Sequence, residues 1–444
     1  MGQLPHLSVH QITRKYGDVC GIKLGNVFTV FISHPQLLNE AFSKTTVSDR
    51  WMGEIMGALS GGGADMVFMN YGDQWRQMRR YANHDLFNTK RLAQIRVEHM
   101  EQVVAELVDD LKRCAAEHET CEPSILIPES NAELIFRCCF GLPQEREEGF
   151  AESRKALLDI TFWAFENASA TNPADYLPLL SFLPNNAVGK AQEVAADRDR
   201  LIDDLIDTVR QRPGRNANAP TCLLDVMLAK QELGEVDQPT VRYMMGDMLA
   251  AGIDTTAQTL AWTLLLVANR PAVQQRIHEE IDAIAPGEEP PDYAKRGELP
   301  YLEAVLLESM RYRTIGPFAV PHKAVEDTEI DGFRIPAGSQ VLANVYSIHN
   351  DPRFWDRPDQ FIPQRHIGVE KSERKKYSTL VPFSVGRRQC PGQNFAMISM
   401  WLHLTRIFHG FQLSPSSSGL LPEDEVFGLT VSPKPYKLTV TARH

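Results

Sequence analysis

From Pro239 to Asn269 the sequence keeps a helical pattern for about 30 residues, opened by a proline and closed by Asn269-Arg270-Pro271. At 1.5 Å per residue such a helix is about 45 Å long, so it crosses a whole domain and the rest of the chain is arranged around it. Its apolar run Leu260 to Ala268, like Val27 to Ile32, falls far short of the roughly 18–20 residues that cross a bilayer. The helix is therefore the spine of the domain, and no segment is expected to span a membrane. With 43% hydrophobic and 23% charged residues, the 444-residue chain can bury that core. The formal charge of −11 argues against nucleic-acid binding through bulk charge. The opening MGQLPHLSVHQ has neither a basic nor an apolar leader region, so no signal peptide is expected.

Length alone suggests about three domains, yet nothing reads as a long linker. Arg210 to Pro220 and Ala285 to Pro300 are short loops between helical patterns, and Ser416 to Gly419 is another loop. One domain over residues 1–444 is expected. Strands are predicted in Val19 to Ile32, turning at Gly25-Asn26, and in Glu329 to Val345, turning at Asp331-Gly332 and Ala337-Gly338. A last hairpin is expected in Tyr436 to Arg443. Helical patterns cover Lys90 to Ala116, Ala187 to Gln211, Ala272 to Ala285, Tyr301 to Tyr312 and Gly392 to Phe408. The fold class is mainly α with small peripheral β-sheets.

Seven cysteines (20, 114, 121, 138, 139, 222 and 390) without a C-x-x-C pair suit reduced thiols. One stands apart. Phe383 to Gly392 reads FSVGRRQCPG and precedes an apolar helix, which places Cys390 in an electropositive loop where a thiolate is stabilised. On surroundings alone, a small buried hydrophobe remains the commoner role for a free cysteine. A zinc site lacks a second ligand at suitable spacing. The spacing F-x-x-G-x-R-x-C-x-G resembles the haem-binding signature of the cytochrome P450 family and is complete. The resemblance implies that Cys390 is the proximal ligand of haem b, that Arg388 pairs with a propionate, and that Phe383 packs beside the sulfur. Gly386 and Gly392 would let the backbone approach the porphyrin without a Cβ.

Three further motifs follow the family order. In Ala250 to Thr256, Gly and Thr weaken the long helix, and a kink or bulge is expected there. By resemblance this is the oxygen-activation motif, with Asp254 supplying protons and Thr255 hydrogen-bonding the oxygen under reduction. Glu308 and Arg311 match E-x-x-R, and Arg365 matches the distant arginine of the same network, although Pro363-Gln364-Arg365-His366 departs from the family's P-E-R-F. Only Arg365 is carried over from that element. Trp75 and Arg79 match W-x-x-x-R and would face a propionate, as would His322. Taken singly, a surface ion pair, an amphipathic basic helix and a strand-end histidine account for these three signals.

The resemblance covers the whole chain and is to eukaryotic microsomal members. It implies a monooxygenase that takes O2 and a lipophilic substrate. No G-x-G-x-x-G opens a βαβ unit, so electrons are expected from an NADPH-cytochrome reductase, with cytochrome b5 as a further partner. Basic clusters at Arg76/Arg79/Arg80, Lys371/Arg374/Lys375/Lys376 and Arg387/Arg388 offer an acidic partner a docking face, the lysine run being equally a solvated loop. Pocket walls are expected from Met52 to Met69, Asp247 to Thr255, Thr314 to Val320 and Phe427 to Thr430, with Met248, Leu249, Ile315, Phe318, Val320, Phe427 and Leu429 supplying apolar surface. The family implies the cytoplasmic face of the endoplasmic reticulum membrane, attached through an N-terminal anchor absent from this sequence. Rival functions are a haem-thiolate isomerase or dehydratase acting on a peroxide, against which the Asp254-Thr255 pair argues, and a non-enzymatic haem ligand-binding protein.

Overall fold

The computed structural model describes residues 4–141, 149–168, 173–177, 187–216, 220–287, 289–368 and 379–443. In chain order its helices are α1 (Pro5–Tyr16), α2 (Pro35–Ser43), α3 (Glu54–Leu59), α4 (Asp73–Arg80), α5 (Thr89–Ile95), α6 (Glu101–Ala116), α7 (Pro123–Phe140), α8 (Phe150–Asn167), α9 (Pro173–Tyr176), α10 (Ala187–Arg210), α11 (Leu223–Glu232), α12 (Gln238–Ala268), α13 (Pro271–Ile284), α14 (Pro300–Tyr312), α15 (Val345–His349) and α16 (Gln393–Gly410). The strands are β1 (Val19–Leu24), β2 (Val27–Ile32), β3 (Asp49–Arg50), β4 (Thr120–Cys121), β5 (His322–Lys323), β6 (Thr328–Ile330), β7 (Phe333–Ile335), β8 (Gln340–Ala343), β9 (Phe411–Pro415), β10 (Glu425–Phe427), β11 (Val431–Pro433) and β12 (Leu438–Ala442).

The expected spine is α12, packed on α7, α10, α11, α14 and α16. Asp237 caps its start by accepting the Thr240 N–H at 3.0 Å. Near its end the Trp262 indole donates to the Val431 carbonyl at 3.0 Å. The predicted bulge is not formed: the helix runs unbroken through Ala250 to Thr256. The weak turn is held from outside instead. The Asn131 amide of α7 donates to the carbonyls of Gly252 and Ile253 at 2.8 and 2.6 Å. Gly252 is what lets α7 come so close, since a Cβ there would stand 2.7 Å from Ile135 Cδ1.

Other boundaries also shifted. The pattern from Lys90 to Ala116 is broken by a wider π turn at Arg96–Met100. The helices α1, α7 and α8 carry no clear signal, α7 because Pro128 sits inside it. Its missing N–H costs about 3 kcal/mol, a loss offset by the buried face that α7 presents to α12. The turns at Gly25-Asn26 and Asp331-Gly332 make hairpins, with Val19 opposite Ile32 and Ile330 opposite Phe333, but the strands on either side of Ala337-Gly338 do not pair, because β8 joins β2 and β5 of the main sheet instead. The last does not: β12 is one strand, paired with β9 and β4, because its partner is the distant Phe411–Pro415. The main sheet has the order β1-β2-β8-β5-β3, and at its edge β3 pairs with β5 so that Arg50 faces His322. Among the described residues no helix is long and apolar enough to cross a membrane.

Candidate functional site: a thiol loop ringed by guanidinium groups

Immediately before α16 the chain forms the Cys390 loop. The Cys390 N–H donates to the Phe383 carbonyl at 3.0 Å, closing it. Gly386 adopts φ +78, and a Cβ there would lie 2.3 Å from the Phe42 carbonyl of α2. Its role is therefore to pack the back of the loop on α2, which differs from the reason expected from sequence. A Cβ on Gly392 would meet only Cys390 Sγ, at 3.9 Å. Cys390 is exposed, unlike Cys20, Cys121, Cys138, Cys139 and Cys222, which are buried. Surrounding protein pushes its thiol up, while N–H groups of Gly392 and Gln393 and the charge of Arg79 draw it down. The Phe383 ring packs on the main core.

Around the loop three guanidinium groups converge. Arg388 is buried, donates to the Ser48 and Met69 carbonyls and lies 4.7 Å from the Trp75 ring centre. Arg79, one turn from Trp75 on α4, donates to the Gln389 carbonyl. Arg50 donates to the Val67 and Val320 carbonyls, each at 2.9 Å. Among the described residues none of the three forms an ion pair with a carboxylate. Burial lowers Arg388 to about 10 and lowers Arg50 and Arg79 as well, with Arg388 and Arg79 repelling Arg50. His322 completes the group: burial and the Arg50 charge hold it neutral, its Nδ1 meets the Val47 carbonyl at 2.7 Å, and its ring stacks on Phe42. Desolvated cations that share only carbonyls call for an anion.

Asp254 lies buried on α12. It accepts from the Thr430 hydroxyl at 2.6 Å and from the Gln258 amide at 3.1 Å, and burial pushes its carboxyl up to about 6. The Thr255 hydroxyl donates to the Ala251 carbonyl at 2.8 Å. The acid and the alcohol are thus neighbours that do not bond one another. Ala251 is exposed in the middle of this buried helix, so α12 has an open side at this turn.

Glu308 and Arg311 of α14 are both 0% exposed. Glu308 accepts two bonds from Arg311, at 2.8 and 2.9 Å, and one each from Arg365, His366 and the Ile362 N–H. Burial alone would raise this carboxyl, but His366 and Arg311 outweigh it and pull it to about 2. Arg311 also donates to the carbonyls of His349, Pro358 and Gln360. His349 in turn accepts the Val381 N–H at 3.0 Å, two residues before Phe383. The network therefore reaches the thiol loop directly.

The family model for cytochrome P450 matches residues 1–440. This chain belongs to the cytochrome P450 family. It is similar to trans-cinnamate 4-monooxygenase of Sorghum bicolor, with 29% identity over 93% of this chain and 83% of that protein. Phenylacetaldehyde oxime monooxygenase of Prunus mume is 28% identical over 98% of this chain and 84% of its own length. Cytochrome P450 2U1 of Rattus norvegicus is 28% identical, over 99% and 83%. A zebra fish cytochrome P450 solved with progesterone superposes with a TM-score of 0.84 at 26% identity, covering 99% of both chains. The chain is accordingly an oxidoreductase of the monooxygenase type, in a family that uses a haem-thiolate, O2, lipophilic substrates and redox partners.

The residues fit such a group. A P450 haem brings an iron that takes a thiolate and two propionates that take cations; Cys390 offers an exposed sulfur and the unpaired guanidiniums offer the cations. Arg79, Arg388, Trp75 and His322, the residues expected from sequence, lie together here, and Arg50 joins them with no signal in sequence beyond its pairing opposite His322. His366, which bonds Glu308 at 2.8 Å, His349 and Thr430 carry no motif of their own in the sequence. Replacing Glu308 by Gln leaves Arg311 buried without its counter-charge, and urea unfolding should show a loss of about 3–5 kcal/mol with poorer haem retention. In the wild type the Glu308 contribution should be complete above the ordinary glutamate range and fade as pH falls toward about 2.

Proposed function

We propose that residues 1–444 form one haem-thiolate monooxygenase domain that holds haem b through Cys390 and inserts one oxygen atom of O2 into a lipophilic organic substrate. The observation that carries this reading is the Cys390 loop set among three guanidinium groups that form no ion pair with a carboxylate among the described residues. Arg50, Arg79, Arg388 and His322 would hold the propionates, with Trp75 stacked beneath Arg388. The bound group supplies the redox chemistry: two electrons and two protons reduce one oxygen to water while the other enters the substrate. Glu308, Arg311 and Arg365, with His366, fix the backbone before the loop. Phe383 closes the loop through its carbonyl, and Gly386 and Gly392 keep both its faces lean.

Asp254 is the proton reservoir of this reading. With its carboxyl at about 6 it is protonated below that pH, and the Thr430 and Gln258 bonds hold it in place. Thr255 keeps lone pairs free while its proton rests on the Ala251 carbonyl, so it can accept and pass a proton at the open side of α12. Phe318, Phe427 and Leu429 line a partly open cavity beside the hairpin whose Thr430 holds Asp254, and substrate would enter there. Three of the four expected wall segments contribute; α12 does not line this cavity, and Met248 and Leu249 are buried in the core.

Electrons would come from an NADPH-cytochrome reductase, with cytochrome b5 assisting, at the cytoplasmic face of the endoplasmic reticulum membrane. Arg76, Arg80 and Arg387 are exposed and suit an acidic partner. The lysine-rich cluster at 371–376 lies outside the described residues.

The ferrous protein under carbon monoxide should show the red-shifted thiolate band, and Cys390→Ala should lose it; a folded wild type without the band would defeat the reading. Turnover should fall as pH rises through about 6, and Asp254→Asn should abolish that inflection; an unchanged pH profile would remove Asp254 from the proton route. Arg76→Glu with Arg80→Glu should weaken reductase-supported turnover and flatten its salt dependence, while the carbon monoxide band stays unchanged.

A further inference from the structure

The cavity walled by segments 51–68, 317–321 and 427–429 has an uneven chemistry. Trp51, Phe68, Phe318 and Phe427 supply aromatic wall, and among the described residues of its lining Asp175 of α9 is the only ionisable side chain. That carboxylate accepts the Glu54 N–H at 2.7 Å and a second N–H from Ile55. Two N–H groups leave acceptor capacity on a carboxylate, which offers about four lone-pair sites. Among the described residues its charged neighbour is Glu54, of the same sign, and no cation pairs with it. The flanking stretches 169–172 and 178–186 contain no Lys, Arg or His, so the nearby sequence offers none either.

The position is built to admit the group. A Cβ on Gly53 would stand 2.1 Å from Asp175 Cγ, so only glycine there leaves room for the carboxylate. Gly53 has an ordinary φ of −82, so the absence of a side chain is a matter of space and not of backbone strain. Burial pushes the Asp175 carboxyl up to about 6, which still leaves it ionised at pH 7.5. An ionised carboxylate at an aromatic wall, next to another acid, attracts cations and repels anions.

From this geometry we infer that the cavity selects lipophilic substrates carrying a positive charge, an ammonium group received by Asp175 and the aromatic rings around it. The inference rests on the monooxygenase reading only in taking this cavity as the substrate's, and it names the class of substrate that reading leaves open. An aromatic or aliphatic body would lie along Phe68, Phe318 and Phe427, with the cation at the Asp175 end.

The test is equilibrium dialysis of the haem-loaded protein with 4-phenylbutyl-trimethylammonium and with its uncharged tert-butyl isostere, neither of which can ligate iron. The quantity read is the ratio of the two Kd values. Asp175→Asn keeps an oxygen for the Glu54 N–H and removes the charge; the ratio should shift against the cation by about tenfold or more. Gly53→Ala should displace the carboxylate and give the same shift, which covers the case in which the first variant does not fold. A smaller shift in the folded variants, or failure of the cation to bind the wild type, overturns the inference. Because dialysis does not depend on turnover, loss of the thiolate band in the wild type would count against the monooxygenase reading alone, whereas an intact band with an unchanged ratio would count against Asp175 alone.

Discussion

One buried carboxylate braces the segment that leads to the Cys390 loop. Glu308 has no exposed surface and accepts five hydrogen bonds, from Arg311, Arg365, His366 and the Ile362 backbone. Ions taken this far from water are tolerated only when their donors and acceptors are matched, and the matching here ties α14 to the segment from 349 to 366. Arg311 spends its remaining donors on the carbonyls of that segment, so a charge pair that would be weak on a surface becomes a clamp on backbone. His349 passes the constraint on. Burial lowers it to about 3, which keeps it neutral, and a neutral ring can accept the Val381 N–H with one nitrogen while the other meets the Thr314 hydroxyl.

The electrostatics of the interior run against those of the whole chain. A protein of formal charge −11 gathers three guanidinium groups around one loop, and among the described residues none of them forms an ion pair with a carboxylate, Asp49 and Asp65 acting only from a distance. The donors are occupied by carbonyls, which satisfies hydrogen bonding but not charge, and burial accordingly presses the arginines toward deprotonation. A dianion placed among them relieves that pressure, so the binding of such a group and the stability of the loop are linked. Net charge and local field are separate quantities here, and only the second bears on the site.

What could be read from sequence was what lies close together in it. The Cys390 loop, the W-x-x-x-R pair of α4 and the E-x-x-R pair of α14 each fit within a few residues, and each sits in the structure where its spacing implies. The hairpins at Gly25 and Gly332 were legible for the same reason. The failures concern partners far apart in the chain. Arg50 enters the site through a two-residue strand opposite His322, 272 positions away by the numbering and invisible to any local pattern. Thr430 reaches Asp254 across 176 positions, and β12 finds β9 instead of turning on itself. Pro128 concealed α7 because propensity is local, whereas the packing against α12 that overrides it is not. The bulge expected at Gly252 was a sound reading of an isolated helix; Asn131 changed the answer by supplying donors from another element.

The bond between Thr430 and Asp254 also limits how the protein can be altered. Phe427 and Leu429 line the cavity, while Thr430, the next residue, holds the carboxylate from which the proposed proton route starts. The same hairpin tip leans on α8, where the Leu429 N–H donates to the Phe165 carbonyl and a Cβ on Gly428 would meet that carbonyl at 2.6 Å. On the proposed roles, selectivity and oxygen economy would share one piece of backbone. An engineer who enlarges the cavity by substituting this tip would also disturb the Thr430 bond to the acid, so variants chosen for a new substrate at 427–430 would inherit altered oxygen efficiency.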